Sequence, residues 1–427
     1  MKLTIESPDF VESLKDFPTG IMPLRKNHKY FLVIKGSKEL ILTAQTNKGF
    51  CFYLAPVEQN GTRTIGLITA FFDDKISPLI LWTAIVKGDF SELLIPLLCL
   101  PEFEVYFFDE HDREHGSYRV RNPKFKQFGN VFSKINLLAL TVAETLEINN
   151  KIGNWFRGTT SKDDRKSFPI YFEENLFPHD AVLLDLTDPV SLVTGAKSIS
   201  VNSLERKEPG DYQEADIVRL LLRIFRSEQI FLNPFKQSDH KELVDVLVVG
   251  DQHALFIQAK DSPNTESILR NATSRKRAKS LSQLEEANGQ LKGAISYAKK
   301  NPILQLNLKN LHRSISLQGL QIVGLAVIKE LFEDVDTFEK YSELTLDLIS
   351  QTGVPCVFLD YPDLHMYTRH TTDEMTFMGA LQQLFEIGWT KKRFGRLQFG
   401  LPPGIKEKIA EARRSNLLEK RRAHDAS

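Results

Sequence analysis

The sequence predicts an α/β protein in which a mixed sheet flanked by helices follows a separate α+β N-terminal domain. Three observations carry this expectation. The chain has 427 residues, more than one hydrophobic core usually serves, so two domains are expected. Residues 29–120 hold a succession of strand-like runs separated by Gly, Asn, Asp and Lys clusters. From Asp211 onward, helical and strand-like segments alternate, which is the rhythm of a sheet with helices on its faces.

In the N-terminal region the strand-like runs are KYFLVIKG, LILTAQT, GFCFYLAP, TRTIGLITAFF, LILWTAIV and FEVYFFDE. FSELLIPLLCL reads as a short helix among them. A longer helical pattern covers about 131–150, where Val131, Ile135, Leu138, Val142 and Leu146 recur at helical spacing. Two polar stretches, 157–167 and 202–211, are possible boundaries; the second is preferred because the new rhythm starts there. The expected division is an N-terminal domain at 1–200, a second domain at 201–390 and a basic tail at 391–427.

The second domain opens with the helix DYQEADIVRLLLRIF, for which Asp211 is the expected N-cap with Glu214 three residues on. Ile217, Leu220, Leu221, Ile224 and Phe225 form its apolar face. Strands follow at QIFLNPF and across a hairpin at 241–262, then a long helix at roughly 279–300. The strand LQIVGLAVI, the helix FEKYSELTLDLIS, the strand PCVFLDY and the helix TTDEMTFMGALQQLFEIGW complete the order.

Composition narrows the function classes. Formal net charge is zero, so any surface for nucleic acid or membrane must be local. Cys51, Cys99 and Cys356 lie far apart in apolar settings, which argues against a disulfide framework and for a reducing compartment. The first residues carry acids where a signal peptide needs an apolar run, and the longest apolar stretch is broken by Asp73, Asp74 and Lys75. A cytoplasmic protein without membrane contact is expected. No Walker sequence, GxGxxG turn or zinc-finger spacing is present.

The hairpin KELVDVLVVGDQHALFIQAKDS carries the chemistry. Asp245 interrupts its first apolar run, and Gln258 and Lys260 interrupt the second. Side chains alternate across a strand, so Gln258 and Lys260 share a face. Asp245 joins them if the connection has even length, four residues (Gly250 to His253) or two; an odd loop sends it to the far side. A carboxylate and an amide oxygen can hold a hard divalent cation, and a lysine beside them can orient water or stabilise phosphate charge. Edge strands also carry such polar residues to prevent association.

Glu214 on its helix, Asp245 in the hairpin, Gln258-Ala259-Lys260, and then a long helix bearing Gln283 and Gln290 together resemble the PD-(D/E)xK nuclease superfamily. The pattern here is Asp-x12-Gln-x-Lys, in which Gln replaces the second acid, as in the Mrr-like branch of restriction endonucleases. The resemblance covers about 205–300 and implies a restriction-endonuclease-like sheet. It also implies that Asp245 is the central metal ligand, with Gln258 a neutral ligand aided by the Ala259 carbonyl. Lys260 would orient water, and Glu214 would be the outer acid. Val244 stands where a Pro often precedes the Asp. Gln258 removes one negative charge from the site, which weakens metal affinity. Gln283 and Gln290 either reach over the sheet near the metal or are solvated amides.

Other features are weighed the same way. Arg270, Arg275, Lys276, Arg277 and Lys279 follow the Gln-x-Lys strand and either contact phosphates or form a solvated loop. The tail from Lys391 carries eleven Lys or Arg against four acids and is open to the same two readings. His111 and His115 in FFDEHDREHGSYR are expected in a polar hairpin loop, and Cys356 in the core.

The expected function is a Mg²⁺- or Mn²⁺-dependent nuclease that cuts DNA internally; nothing in the sequence separates DNA from RNA. By analogy alone this suggests restriction or anti-phage defence. The N-terminal domain would recognise substrate, a partner protein, an activating signal or a second copy of the chain. The alternative is a catalytically weak or inactive nuclease-fold module that binds nucleic acid or protein.

Overall fold

The computed structural model describes residues 19–177 and 210–397, except 60, 74–77, 111, 262–270, 309–310 and 333, together with 2–7, 14, 182–184, 193, 199–201 and 399. It is a mixed α/β structure built on two large sheets.

The first sheet has eight strands: β1 (Gly20–Lys26), β2 (Lys29–Lys35), β3 (Gly49–Gln59), β4 (Thr62–Phe71), β5 (Leu79–Ala84), β6 (Glu102–Phe108), β7 (Glu114–Arg121) and β8 (Phe168–Asn175). Their order is β1-β2-β6-β7-β8-β3-β4-β5, and only β2 and β6 pair in parallel. A Phe-rich core fills one side, with Phe128 and Phe168 stacked at 3.8 Å between centroids. The helices here are α1 (Lys2–Glu6), α2 (Lys38–Thr46), α3 (Asp89–Leu98), α4 (Phe125–Phe132), α5 (Val142–Arg157) and α6 (Ser161–Lys166).

Several sequence expectations are corrected. LILTAQT is not a strand but most of α2. Ser37 caps that helix by accepting from Leu40 N, and Leu40 to Ala44 are all buried. A continuous apolar run has no period that separates a buried helix from a buried strand, and the Ser cap decides it. The helix expected at 131–150 is two helices, because the chain from Ser133 to Thr141 is not helical. His111 lies outside the described residues. His115 is not in a loop: it sits buried on β7 with Nε2 at 2.9 Å from Asp109.

A two-stranded pair, β9 (Val182–Leu184) and β10 (Ile199–Val201), precedes the second large sheet. The second sheet is flanked by α7 (Gly210–Leu221), α8 (Thr273–Lys300), α9 (Val335–Thr352), α10 (Tyr361–His370) and α11 (Glu374–Lys391). Its strands are β11 (Ile230–Leu232), β13 (Val246–Val249), β14 (His253–Lys260), β17 (Gln321–Ile328) and β18 (Cys356–Asp360), in the order β11-β13-β14-β17-β18. The first three pair antiparallel; β17 and β18 continue in parallel. A small side sheet joins β12 (Phe235–Lys236) to β15 (Ile303–Leu308) and β16 (Leu311–Ser316). The β15–β16 hairpin and α10 were not expected from the sequence. The helix α7 begins at Gly210, one residue before Asp211. Cys356 is fully buried on β18.

Candidate functional site

The β13–β14 register fixes the geometry. Val249 pairs with Ala254 and Val246 with Ile257, so Gly250 to His253 form a four-residue connection. The same register sets Asp245 opposite Gln258. This connection is held by Glu374 at the start of α11, whose carboxylate accepts from the backbone N–H of Asp251 (2.7 Å), Gln252 (3.1 Å) and His253 (3.1 Å). A Cβ at Gly250 would stand 2.3 Å from Glu374 Oε2, so glycine is what allows the carboxylate so close.

Asp245 and Gln258 are both buried, and the Gln258 amide donates to Asp245 Oδ1. Ala259 N–H donates to Oδ2 at 2.6 Å. Burial pushes the Asp245 carboxyl above its ordinary value, and these hydrogen bonds and Lys260 only partly offset it. Because the Gln258 NH₂ faces Asp245, its Oε1 is the atom left for a ligand. Lys260 is mostly covered, and its Nζ lies 2.8 Å from Glu286 Oε1 on α8.

The remaining expected residues spread around this core. Glu214 accepts from Asn233 Nδ2 at 2.9 Å, and Asn233 N donates to the Asp245 carbonyl at 2.8 Å, so Glu214 reaches the cluster through one intermediate residue. Its neighbour Gln213 is buried and donates to the Lys260 carbonyl at 3.4 Å. On α8, Leu284, Ala287, Leu291, Ala294 and Ile295 face the core. At 100° per residue, Gln283, Glu286 and Gln290 run along one border of that face. Gln283 is buried and Gln290 is exposed, so of the two readings open to these amides Gln283 takes the place over the sheet and Gln290 that of a solvated amide.

The basic run is not one uniform patch. From Thr273 it forms the first turns of α8 rather than a loop. Arg275 and Lys279 are exposed, whereas Lys276 pairs with Asp73 of the first sheet region and Arg277 with Asp334 at 3.0 Å. Arg270 lies outside the described residues.

Two acids near the hairpin were missed by sequence reasoning, Glu286 and Glu242. Partial burial and the neighbouring Asp245 push the Glu242 carboxyl up, with Lys260 acting the other way. A glutamate on a helix face or before a strand has no pattern that singles it out; only the fold brings these two to Lys260.

The first sheet region also braces the site. Asp216 on α7 is buried between Lys38 Nζ (2.8 Å) and Arg113 (3.3 Å), and Arg113 is itself held by Asp109 at 2.9 Å. Lys329, directly after the strand that pairs with β14, meets Glu39 at 3.2 Å. A cavity of about 40 Å³ remains between Lys38, Glu39 and Glu110 on one side and Gln213, Asp216 and Lys329 on the other.

Asp245, Gln258 Oε1 and the Ala259 carbonyl could offer only oxygen donors, which would suit Mg²⁺ or Mn²⁺ better than a soft metal. The set carries one negative charge. Among the described residues no three His, Cys, Asp or Glu side chains gather into a group that could hold a metal ion. Also among the described residues, no helix is long and apolar enough to cross a membrane. No family model, curated protein or solved structure matches the chain.

Proposed function

We propose that the chain is a metal-dependent nuclease of the PD-(D/E)xK type, in the Mrr-like manner, acting on DNA. The observation that carries the reading is that Asp245, Gln258 and Lys260 stand together at one end of the β13–β14 hairpin. The sheet around them runs helix, three antiparallel strands, helix, parallel strand, through α7, β11, β13, β14, α8 and β17. That is the element order the resemblance implies.

Asp245, Gln258 and the Ala259 carbonyl are the residues that would hold the cation. When bound, a divalent ion polarises the scissile phosphate and supplies a water of lowered pKa. Asp245 is fixed by two hydrogen bonds, so its carboxylate needs little reorganisation to serve as an anchor. Lys260 offers its ammonium to a phosphate oxygen or to the attacking water. Exposed Arg275 and Lys279 offer phosphate contacts nearby on α8. The ion pairs to Asp216 and Lys329 support a bracing role for the N-terminal region beside any part in recognising substrate or a partner.

The test is conversion of supercoiled plasmid in Mg²⁺ or in EDTA by wild type, Asp245→Asn and Lys260→Ala. Cleavage by wild type alone, and only with Mg²⁺, supports the proposal; equal behaviour of all three overturns it. The single charge of the donor set favours one other reading, a nuclease-fold module that binds without cutting. Metal titration separates the two, since a binding module needs no divalent ion at this face.

A further inference from the structure

The charge that Gln258 withholds is present elsewhere in the fold. Register partners across β14 and β17 place Gln258 beside Ala326 and Lys260 beside Ile328, all on the face shared with Phe256 and Gly324. A Cβ on Gly324 would meet Ile295 of α8 at 3.4 Å, so this is the face that α8 covers. Gln283 of α8 is buried, and one turn later Glu286 reaches Lys260 at 2.8 Å. Half of the Glu286 side chain, 57%, remains exposed.

We infer, resting on the nuclease reading above, that Glu286 is the second acidic metal ligand of the site, supplied from α8 in place of the acid that Gln258 replaces on β14. In the structure Glu286 neutralises Lys260. An exposed glutamate can turn through its side-chain torsions at little cost, because it leaves no buried packing behind. Turning from Lys260 to the cation gives the metal two carboxylates, Asp245 and Glu286, and it frees the Lys260 ammonium for water or phosphate. Glu214 is less suited to this part because it reaches the cluster only through Asn233, whereas Glu286 touches Lys260 itself. Glu242 lies before β13 and, unlike Glu286, makes no ion pair with Lys260 among the described residues.

The charge can be moved, and that gives the test. Mn²⁺ alone is titrated into the full chain and followed by electron paramagnetic resonance, with plasmid cleavage measured in parallel. The proteins are wild type, Glu286→Gln, Gln258→Glu, the double variant and Glu242→Gln. Loss of one carboxylate ligand lowers Mn²⁺ affinity on the order of ten-fold or more, so Glu286→Gln should lose that much and cleave correspondingly more slowly. Gln258→Glu placed on Glu286→Gln should recover affinity and cleavage to within a few-fold of wild type.

Unchanged Mn²⁺ affinity in Glu286→Gln overturns the inference, whether or not cleavage falls, because Glu286 then does no more than position Lys260. A loss seen in Glu242→Gln and not in Glu286→Gln overturns it as well. A folded wild type that neither binds Mn²⁺ nor cleaves is a different result: there the nuclease reading itself fails.

Discussion

Asp245 and Gln258 face each other across the β13–β14 hairpin, the amide donating to one carboxylate oxygen while Ala259 N–H occupies the other. The carboxyl is buried and titrates above its ordinary value. A raised acid binds more protons folded than unfolded, so it costs stability as pH rises through that window. Asn fits the same place, accepting from Ala259 N–H and donating to Gln258 once that amide turns over. Asp245→Asn should therefore abolish cleavage while its denaturation midpoint corresponds to a stability within about 1 kcal/mol of wild type, or above it. A large loss of stability would mean that the carboxylate is structural.

Glu374 acts on the same hairpin from its other end. Burial alone would raise its carboxyl, but bonds from Asp251, Gln252 and His253 more than offset this and hold it low. Its contribution is thus present at neutral pH and is lost as pH falls below the ordinary glutamate value toward the folded one. Charge-assisted bonds of this kind are worth about 1.5–3 kcal/mol each, so Glu374→Gln should lower stability by about 2 kcal/mol at pH 7. The difference from wild type should shrink in acid, as read by urea titration at pH 3.5 and 7.

Asp216 ties α7 to the first sheet region. Removing one partner of a buried ion pair typically costs about 3–5 kcal/mol; Asp216→Ala takes a partner from Lys38, Arg113 and Arg219 together, leaving Lys38 with Glu110 and Arg113 with Asp109. The folded state should be destabilised by about 3 kcal/mol. Asp216→Ala with wild-type stability would show that the ion pairs are incidental.

The same interface carries a pH signature. Burial, with Glu39 and Asp73 nearby, pushes Glu330 up to about 7. Between the unfolded value and 7 the folded protein binds the extra proton, so Glu330 lowers stability as pH rises across that range. His365, held down to about 3 by burial, works oppositely. The isolating measurement is the difference in melting temperature between wild type and Glu330→Gln at pH 5 and pH 7.5, which should favour the variant more at the higher pH.

Within the basic run the structure separates exposed Arg275 and Lys279 from Lys276 and Arg277, which are paired with acids. Lys279→Ala should weaken DNA binding and reduce its salt dependence without changing stability, because Lys279 is exposed. Lys276→Ala should act mainly on stability, because Lys276 is spent on Asp73. Filter binding at two salt concentrations and thermal melts distinguish them.

What could be read in advance follows the strictness of each rule. Strand alternation has a period of two, so an even connection sufficed to place Asp245, Gln258 and Lys260 on one face. Helix–strand alternation after Asp211 likewise anticipated most of the second sheet. LILTAQT was misread because five successive residues, Leu40 to Ala44, are buried, and so short a covered run looks alike in a helix and a strand. Spacing left Gln290 open between a covered and a solvated place, because a helix border residue is covered or bare according to where the sheet ends. Glu286 and the Asp216 pairs left no local trace, since a contact across 26 or 178 residues has no spacing to read.

The most direct measurement is the initial rate of plasmid cleavage by wild type and Lys260→Ala at equal folded concentration, over a Mg²⁺ titration. The account predicts a saturable, EDTA-reversible rate for wild type and a rate at least about a hundred-fold lower for Lys260→Ala, the scale on which one electrostatic catalytic group acts. A wild-type rate independent of Mg²⁺, or an undiminished rate in Lys260→Ala, would contradict it.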